Sequence, residues 1–146
     1  MTGILEGLAL LSCTLFTGAA IYVNLVEHPA RLACGTEIAI TQFAPSYKRA
    51  TVMQVALALI AGAASVTLGV QGGGASWLWG ALLILAVIPF TLIVILPTNN
   101  RLLEPGRDRR SAETRALLER WGRLHAVRSA LSLAASVVLI WAARLS

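Results

Sequence analysis

The two histidines of this chain, His28 and His125, are its clearest candidates for ligand or acid–base chemistry. Together with Glu27 they have the composition of a metal site built from two histidines and one carboxylate. Two histidines in a helical bundle can also hold a haem. No two histidines are spaced i, i+4 on one helix, and the chain has no nucleophile elbow and no phosphate-binding loop. The cysteines, Cys13 and Cys34, are too few for a four-cysteine metal site or a disulfide framework. No cofactor is therefore expected, while a haem or a metal at the two histidines stays open.

Four apolar blocks must position these side chains. They cover about residues 4–26, 51–70, 77–96 and 126–145, each close to the ~20 residues that cross hydrocarbon as a helix. The 146 residues are 57% hydrophobic and 13% charged, whereas about a quarter of a soluble domain is charged. The apolar runs are continuous rather than alternating, which excludes a β-barrel. The sequence predicts an all-α polytopic membrane protein with a single integral membrane domain over residues 1–146, folded as an antiparallel bundle of four transmembrane helices.

The first apolar block is interpreted as a retained span rather than a secretory signal. No Lys or Arg precedes it, and it carries Glu6. Its apolar run is also longer than the core of a usual signal peptide. We therefore expect four spans rather than three.

The net charge of +5 is concentrated in two of the three connections between spans. The link over residues 71–76 has no charge, and Arg144 alone is basic near the far ends. The positive-inside rule then predicts a multi-pass protein of the plasma (inner) membrane with both termini outside the cytoplasm. The expected partner is the lipid bilayer and not nucleic acid; a homo-oligomer stays open. The predominance of arginine over the single lysine suggests a bacterial genome rich in G and C. The basic residues of the two connections are Arg31, Lys48, Arg49, Arg101, Arg107, Arg109, Arg110, Arg115, Arg120 and Arg123.

Local signals predict where the helices begin and end. Pro29 should end or kink the first helix just after His28. Pro45 fits the first turn of the second helix, so that Tyr47 already belongs to it. The Gly-rich link "QGGGAS" suits a tight helix hairpin. Ser111 is the expected N-cap of a cytoplasmic amphipathic helix that precedes the fourth span.

Polar side chains gather at the cytoplasmic end of every predicted span. Polar groups in hydrocarbon are costly and normally face one another or water, so the sequence predicts a polar pocket inside the bundle, near its cytoplasmic surface. Arg128 needs a partner there, and Glu27 is its expected counter-ion. The converging residues are Asn24, Glu27 and His28 from the first span, Tyr47, Thr51 and Gln54 from the second, Pro97, Asn99 and Asn100 from the third, and Trp121, His125, Arg128, Ser129 and Ser132 from the fourth.

Each of these residues also has a purely structural interpretation. Arg128 could extend to the headgroups, and its pairing with Glu27 could serve only helix register. Trp121 and Tyr47 could be interfacial anchors. Asn99 could cap the end of the third helix. The functional hypothesis therefore depends on the convergence of these residues rather than on any one of them.

Four features together resemble the anthrone oxygenase-like (noranthrone monooxygenase-like) family of small integral membrane proteins. They are "NLVEHPA" at the end of the first span, "PTNNRL" after the third, the W-x-x-x-H-x-x-R pattern in "WGRLHAVRS", and four spans within 146 residues. The resemblance extends over essentially the whole chain. It implies an oxidoreductase of polyketide pathways, a monooxygenase that oxidises an anthrone with O2 and without flavin, haem or metal.

The resemblance also implies roles for the converging residues. The acidic CH2 group of an anthrone needs a general base, for which histidine is suited, and the resulting oxyanion needs fixed hydrogen-bond donors. His125 is the expected base and His28 the second candidate. Arg128 and Asn99 would stabilise the negative oxygen, and Glu27 would orient a histidine or balance Arg128. The alternatives are a b-type haem protein and a non-catalytic membrane protein that binds a lipophilic ligand. The residues expected to contact the substrate are Asn24, Tyr47, Gln54, Asn100 and Trp121.

Overall fold

A computed structural model describes residues 2–145. This part of the chain forms four long helices, α1 (Thr2–Ala33), α2 (Thr36–Gly73), α3 (Ala75–Leu102) and α4 (Ala112–Leu145). Each is long enough and apolar enough to cross a membrane. The all-α prediction is confirmed, and all four predicted spans lie inside these helices.

The helices pack in a ring, each against the next along the chain, and α4 closes the ring on α1. The turn between α2 and α3 is short because Gly72 and Gly74 both have positive φ, near 95°, a backbone conformation that favours glycine. The connection between α3 and α4 is longer and lies at the other end of the bundle. Consecutive helices are therefore antiparallel, and the predicted site lies at the end that holds the two-residue α1–α2 turn and the longer α3–α4 connection.

Large apolar side chains cover the outside of the bundle as well as its core. Trp77, Phe16 and Leu139 are fully buried in the half near the short turn. Trp141 and Val137 are each about 60% exposed on the outer face of α4. Exposed apolar side chains on this scale suit a surface that faces hydrocarbon rather than water.

Two helices widen into a π-turn just before a proline. Val23–Glu27 precedes Pro29 in α1, and Thr91–Ile95 precedes Pro97 in α3. Proline has no N–H to donate, and its ring clashes with the carbonyl four residues earlier. A turn with i→i+5 hydrogen bonds gives that carbonyl room. The sequence predicted that the first helix ends or kinks at Pro29. The helix instead continues past Pro29 to Ala33.

Pro45 lies inside α2 and not in its first turn, so that prediction was wrong. The helix begins at Thr36, because the segment before Pro45 buries Ala39 and Phe43 in the apolar cluster that also contains Leu118 and Trp121. This packing outweighs the cost of an interior proline, about 3 kcal/mol. Ser111 is an N-cap as predicted, since the N–H of Thr114 donates to its Oγ at 3.1 Å. The amphipathic segment after it is not a separate helix before the fourth span but the first part of the continuous helix α4, which buries Leu117 and Trp121.

Candidate active site

The imidazole of His125 is held by Asn24 across the contact between α1 and α4. The Nδ2 group of Asn24 donates to the carbonyl of Gly122 at 3.0 Å, which points its Oδ1 toward His125. That oxygen lies 2.7 Å from His125 Nδ1 and also accepts the hydroxyl of Ser129 at 2.6 Å. A carbonyl oxygen can only accept, so Nδ1 carries the hydrogen. His125 Nε2 is then the unprotonated nitrogen of the neutral ring.

His125 lines a small polar cavity, the inner chamber, at the centre of the bundle. It spans about 410 Å³ of space free of protein atoms, part of which is open to the exterior. Both π-turns contribute to its wall, through Val23 and Ile95. Its lining residues are Val23, Ser46, Tyr47, Ala50, Thr51, Gln54, Ile95, Asn99, Trp121, His125 and Arg128. The predicted convergence of Tyr47, Gln54, Asn99, Trp121, His125 and Arg128 is therefore what the structure shows.

Three residues of the inner chamber carry buried polar atoms with no hydrogen-bond partner among residues 2–145. The atoms without a partner are Nδ2 and Oδ1 of Asn99, Nε1 of Trp121 and Nε of Arg128. Asn99 is 1% exposed, so water cannot replace a partner from outside. A buried donor without a partner costs about 1–3 kcal/mol. Such atoms around one cavity are suited to a ligand that brings hydrogen-bond acceptors.

Arg128 is bound within the bundle and does not extend to the headgroups. Its Nη2 donates to Gln54 Oε1, and its guanidinium lies over the ring of Phe16, 5.0 Å from the ring centre. The amide oxygen and the π face both stabilise the cation without neutralising it. The expected counter-ion Glu27 is not at Arg128, so this prediction was wrong.

Glu27 instead joins α1 to α2 on the outside of the inner chamber. Its Oε1 accepts from Arg31, from Gln42 Nε2 at 2.8 Å and from Ser46 Oγ at 2.8 Å. Arg31, which the sequence assigned to a loop, is 6% exposed. Glu27 is therefore the partner of a buried cation and does not line the inner chamber.

His28 also lies outside the inner chamber, contrary to the prediction. Its Nε2 donates to the carbonyl of Leu118 at 2.9 Å, and its ring packs on Trp121 with centroids 5.0 Å apart. A Cβ at Gly122 would lie 2.7 Å from the His28 ring, so the glycine permits this close approach. His28 is thus a contact between helices α1 and α4, with its donor nitrogen already used.

The same geometry bears on the two cofactor alternatives. Within the described residues, no cluster of three or more His, Cys, Asp or Glu is placed to hold a metal ion. The imidazoles of His28 and His125 both pack against Trp121, with the second pair of centroids 4.7 Å apart. Because His28 Nε2 is already bonded to the Leu118 carbonyl, this nitrogen is not free to bind a haem iron together with His125.

A second cavity, the outer chamber, adjoins the inner one and is mostly apolar. It contains about 550 Å³ free of protein atoms, part of which is open to the exterior. Its walls come from all four helices, and the two chambers share Tyr47, Thr51, Gln54 and Arg128. The residues found only in the outer chamber are Phe16, Val55, Ala58, Val87, Ile88, Thr91, Leu92 and Leu96.

Two predicted substrate contacts have other positions. Asn100 is exposed and lines neither chamber. Asn24 is behind His125 and positions it, instead of facing the cavity. The sequence interpretation missed two residues. Phe16 lies beneath the guanidinium of Arg128, and Gly122 leaves room for the ring of His28. The only sequence signal for Gly122 was a small residue inside the W-x-x-x-H pattern.

Comparison with known proteins gives a consistent set of matches. A family model described as anthrone oxygenase matches residues 43–138. Anthrone oxygenase tpcL of Aspergillus fumigatus is 30% identical over 145 residues, which cover 92% of this chain and 90% of the relative. Anthrone oxygenase of Claviceps purpurea is 31% identical over 144 residues, 89% of this chain and 83% of the relative. Anthrone oxygenase gedH of Aspergillus terreus is 32% identical over 130 residues, 83% of this chain and 87% of the relative. No solved structure matches. These relatives are fungal, so the suggested bacterial source is not supported.

Proposed function

Because this chain belongs to the anthrone oxygenase family, we propose that it is a membrane-embedded monooxygenase that oxidises a lipophilic, anthrone-like aromatic with O2. The family match makes the chain an oxygenase, and in this proposal it works without a cofactor. The observation that carries the more detailed proposal is the inner chamber. There the imidazole of His125, with one unprotonated nitrogen, lines the same cavity as three residues that carry buried polar atoms without a partner.

His125 is the general base in this proposal. The CH2 group of an anthrone, flanked by two rings and conjugated to the carbonyl, loses a proton to Nε2 of the neutral imidazole. Asn24 accepts the hydrogen of Nδ1, so it selects the tautomer and stabilises the imidazolium as it forms. We assign this role to His125 rather than to His28, the second candidate, because His28 lines neither chamber.

Arg128 and Asn99 stabilise the oxygen that becomes negative. Loss of the proton moves charge to the carbonyl oxygen of the substrate, which then needs donors already in place. Buried N–H groups of Asn99, Trp121 and Arg128 surround the inner chamber. Because these groups are fixed before the reaction, the site spends little free energy on reorganising them.

The reaction with O2 then balances without any further reductant. The enolate transfers one electron to O2, and the two radicals combine in a C–O bond, which gives a hydroperoxide after protonation. Loss of the remaining C–H proton and of hydroxide breaks the O–O bond and leaves a second carbonyl. The overall change is CH2 plus O2 to C=O plus water, and the imidazolium of His125 can return the proton that it took.

We propose that the four helices cross the plasma membrane with both termini outside the cytoplasm. Support comes from basic residues in the half of the bundle that holds the α1–α2 turn: Arg31 near the end of α1, Lys48 and Arg49 in the first half of α2, and Arg107, Arg109 and Arg110 in the α3–α4 connection. The positive-inside rule assigns that end, and with it the inner chamber, to the cytoplasmic half of the bilayer. Both the aromatic substrate and O2 dissolve well in the adjoining hydrocarbon.

Oxygen consumption by the purified protein in lipid vesicles tests the activity. We expect uptake of one O2 per anthrone and appearance of the anthraquinone absorption. A protein that binds anthrones but consumes no O2 would be a non-catalytic binding protein, and a Soret band in the purified protein would identify a haem protein.

A further inference from the structure

The outer chamber opens through the side of the bundle, between α2 and α3. Its inner wall is closed, because Phe16 on α1, Ala58 on α2 and Val87 on α3 are each at most 2% exposed. Its rim is open, because Val55 on α2 is 42% exposed and Leu92 on α3 is 58% exposed. A molecule in this chamber therefore touches the outer surface of the bundle at the gap between these two residues.

The rim of this gap is apolar and lies within the spans. Val55 and Leu92 belong to the continuous apolar runs of α2 and α3. The two polar residues beside them are threonines whose hydroxyls donate to their own helices, Thr51 to the Tyr47 carbonyl at 2.8 Å and Thr91 to the Val87 carbonyl at 2.6 Å. The gap thus presents hydrocarbon groups to the bilayer and no free donor.

The cytoplasmic end of the inner chamber is closed by aromatic side chains. Phe43 is fully buried, lies parallel to Tyr47 with centroids 5.8 Å apart and meets Trp121 edge to face at 5.2 Å. Leu118 and Ile95, each at most 1% exposed, fill the same layer. A substrate arriving from the cytosol would have to displace this packed layer, whereas the side gap is open.

We infer that the substrate reaches His125 sideways from the bilayer, through the gap between Val55 and Leu92, with its oxygen-bearing edge leading. This inference rests on the proposed function. The outer chamber receives the fused aromatic rings, and the floor that it shares with the inner chamber, made by Tyr47, Gln54 and Arg128, receives the polar edge. The ligand class is a flat, lipophilic aromatic ketone or phenol that dissolves in lipid.

Reversible obstruction of the gap tests this route. In a Cys34→Ser background, which removes the exposed native thiol, Val55→Cys is modified with a bulky methanethiosulfonate reagent and later restored with a thiol. Val137→Cys is the matched control, because Val137 is an exposed valine on the outer face of α4 and lines neither chamber. The same folded protein is measured before and after modification, so a folding defect cannot imitate the effect.

We expect modification at position 55 to lower kcat/KM for emodin anthrone in vesicles by about a hundredfold, the order that exclusion from a productive position costs. Thiol treatment should restore it, and modification at position 137 should leave it unchanged. Emodin anthrone should also slow the modification of position 55 but not of position 137.

Equal kcat/KM before and after modification at position 55 would overturn the lateral route while leaving the oxygenase proposal intact. Unmodified protein that consumes no O2 would instead refute the proposed function. In that case the rate of modification still decides the route, because unprotected labelling at position 55 would show that the ligand does not occupy the gap.

Discussion

His125 Nδ1 lies 2.7 Å from Asn24 Oδ1, on a different helix, and this contact sets which nitrogen of the imidazole can act as a base. The amide cannot rotate freely, because its Nδ2 is bound to the Gly122 carbonyl. Asn24 lines neither chamber, so in the proposed mechanism it is a positioning residue that acts through His125.

Replacing Asn24 separates this positioning role from a role in substrate binding. Asn24→Leu should lower kcat by about tenfold to a hundredfold, the range typical of lost orienting groups, with little change in KM. Asn24→Asp keeps an oxygen acceptor for His125 and Ser129, so it should retain more activity than the leucine variant. Steady-state kinetics in vesicles measure both. A rise in KM at constant kcat would show that Asn24 binds substrate after all.

Removal of His125 should lower activity, whereas removal of His28 should lower stability. His125→Ala should lower kcat by about 10²–10⁴-fold, the usual contribution of a general base, with little change in thermal stability in detergent. His28→Ala should leave kcat within a few-fold but reduce the free energy of unfolding by about 1–3 kcal/mol, because the bond to Leu118 is lost and a cavity opens. Loss of turnover in His28→Ala with an unchanged melting temperature would reverse this assignment.

Arg128→Lys tests whether the guanidinium stabilises the oxyanion. Lysine keeps the positive charge but loses the planar set of donors that reaches both Gln54 and the cavity. We expect kcat to fall by about 10²-fold, as for a lost oxyanion donor. Arg123→Lys, an exposed arginine of the same helix, is the control and should be neutral. Equal activity of the two variants would limit Arg128 to a structural cation.

Glu27→Gln should affect stability rather than chemistry. It leaves the buried guanidinium of Arg31 without a carboxylate, and breaking such a pair costs about 3 kcal/mol or more. Thermal unfolding in detergent should show the loss, and kcat of the folded fraction should stay near wild type. A large fall in kcat at unchanged stability would return Glu27 to the active site.

The proposed topology predicts that a reporter fused at Ser146 is outside the cytoplasm. Alkaline phosphatase, which needs export, should be active in this fusion, and a cytoplasm-dependent reporter should be silent. The same pair of reporters inserted at Gly106, an exposed position in the α3–α4 connection, should give the opposite result. An inverted pattern would move the inner chamber to the other half of the bilayer.

Much of the fold and part of the site follow from composition and helical period. Four apolar blocks of membrane-spanning length predicted the four helices. Trp121, His125 and Arg128 were placed together correctly because they lie on α4, which runs without a break from Ala112 to Leu145. Along one regular helix, residues spaced by three or four share a face, so the prediction needed no knowledge of the neighbours.

The same reasoning failed for residues beside the π-turns. A turn that contains one extra residue shifts every later side chain by about 100° around the axis, the angle per residue of an α-helix. Glu27 ends such a turn and therefore faces α2 and Arg31 rather than Arg128. Asn100 follows the second π-turn and faces outward. Neither turn can be located from proline alone, since Pro45 lies in α2 without one.

When a cavity opens to the bilayer through the side of a helix bundle, the relevant substrate concentration is the one in the lipid. Occupancy then follows the mole fraction of substrate among lipids, not its molarity in the surrounding buffer. Empty vesicles added at constant total substrate should slow the enzyme by dilution in two dimensions, although the aqueous volume is unchanged. A KM quoted per litre would have no fixed value for such an enzyme, whereas one quoted per mole of lipid would.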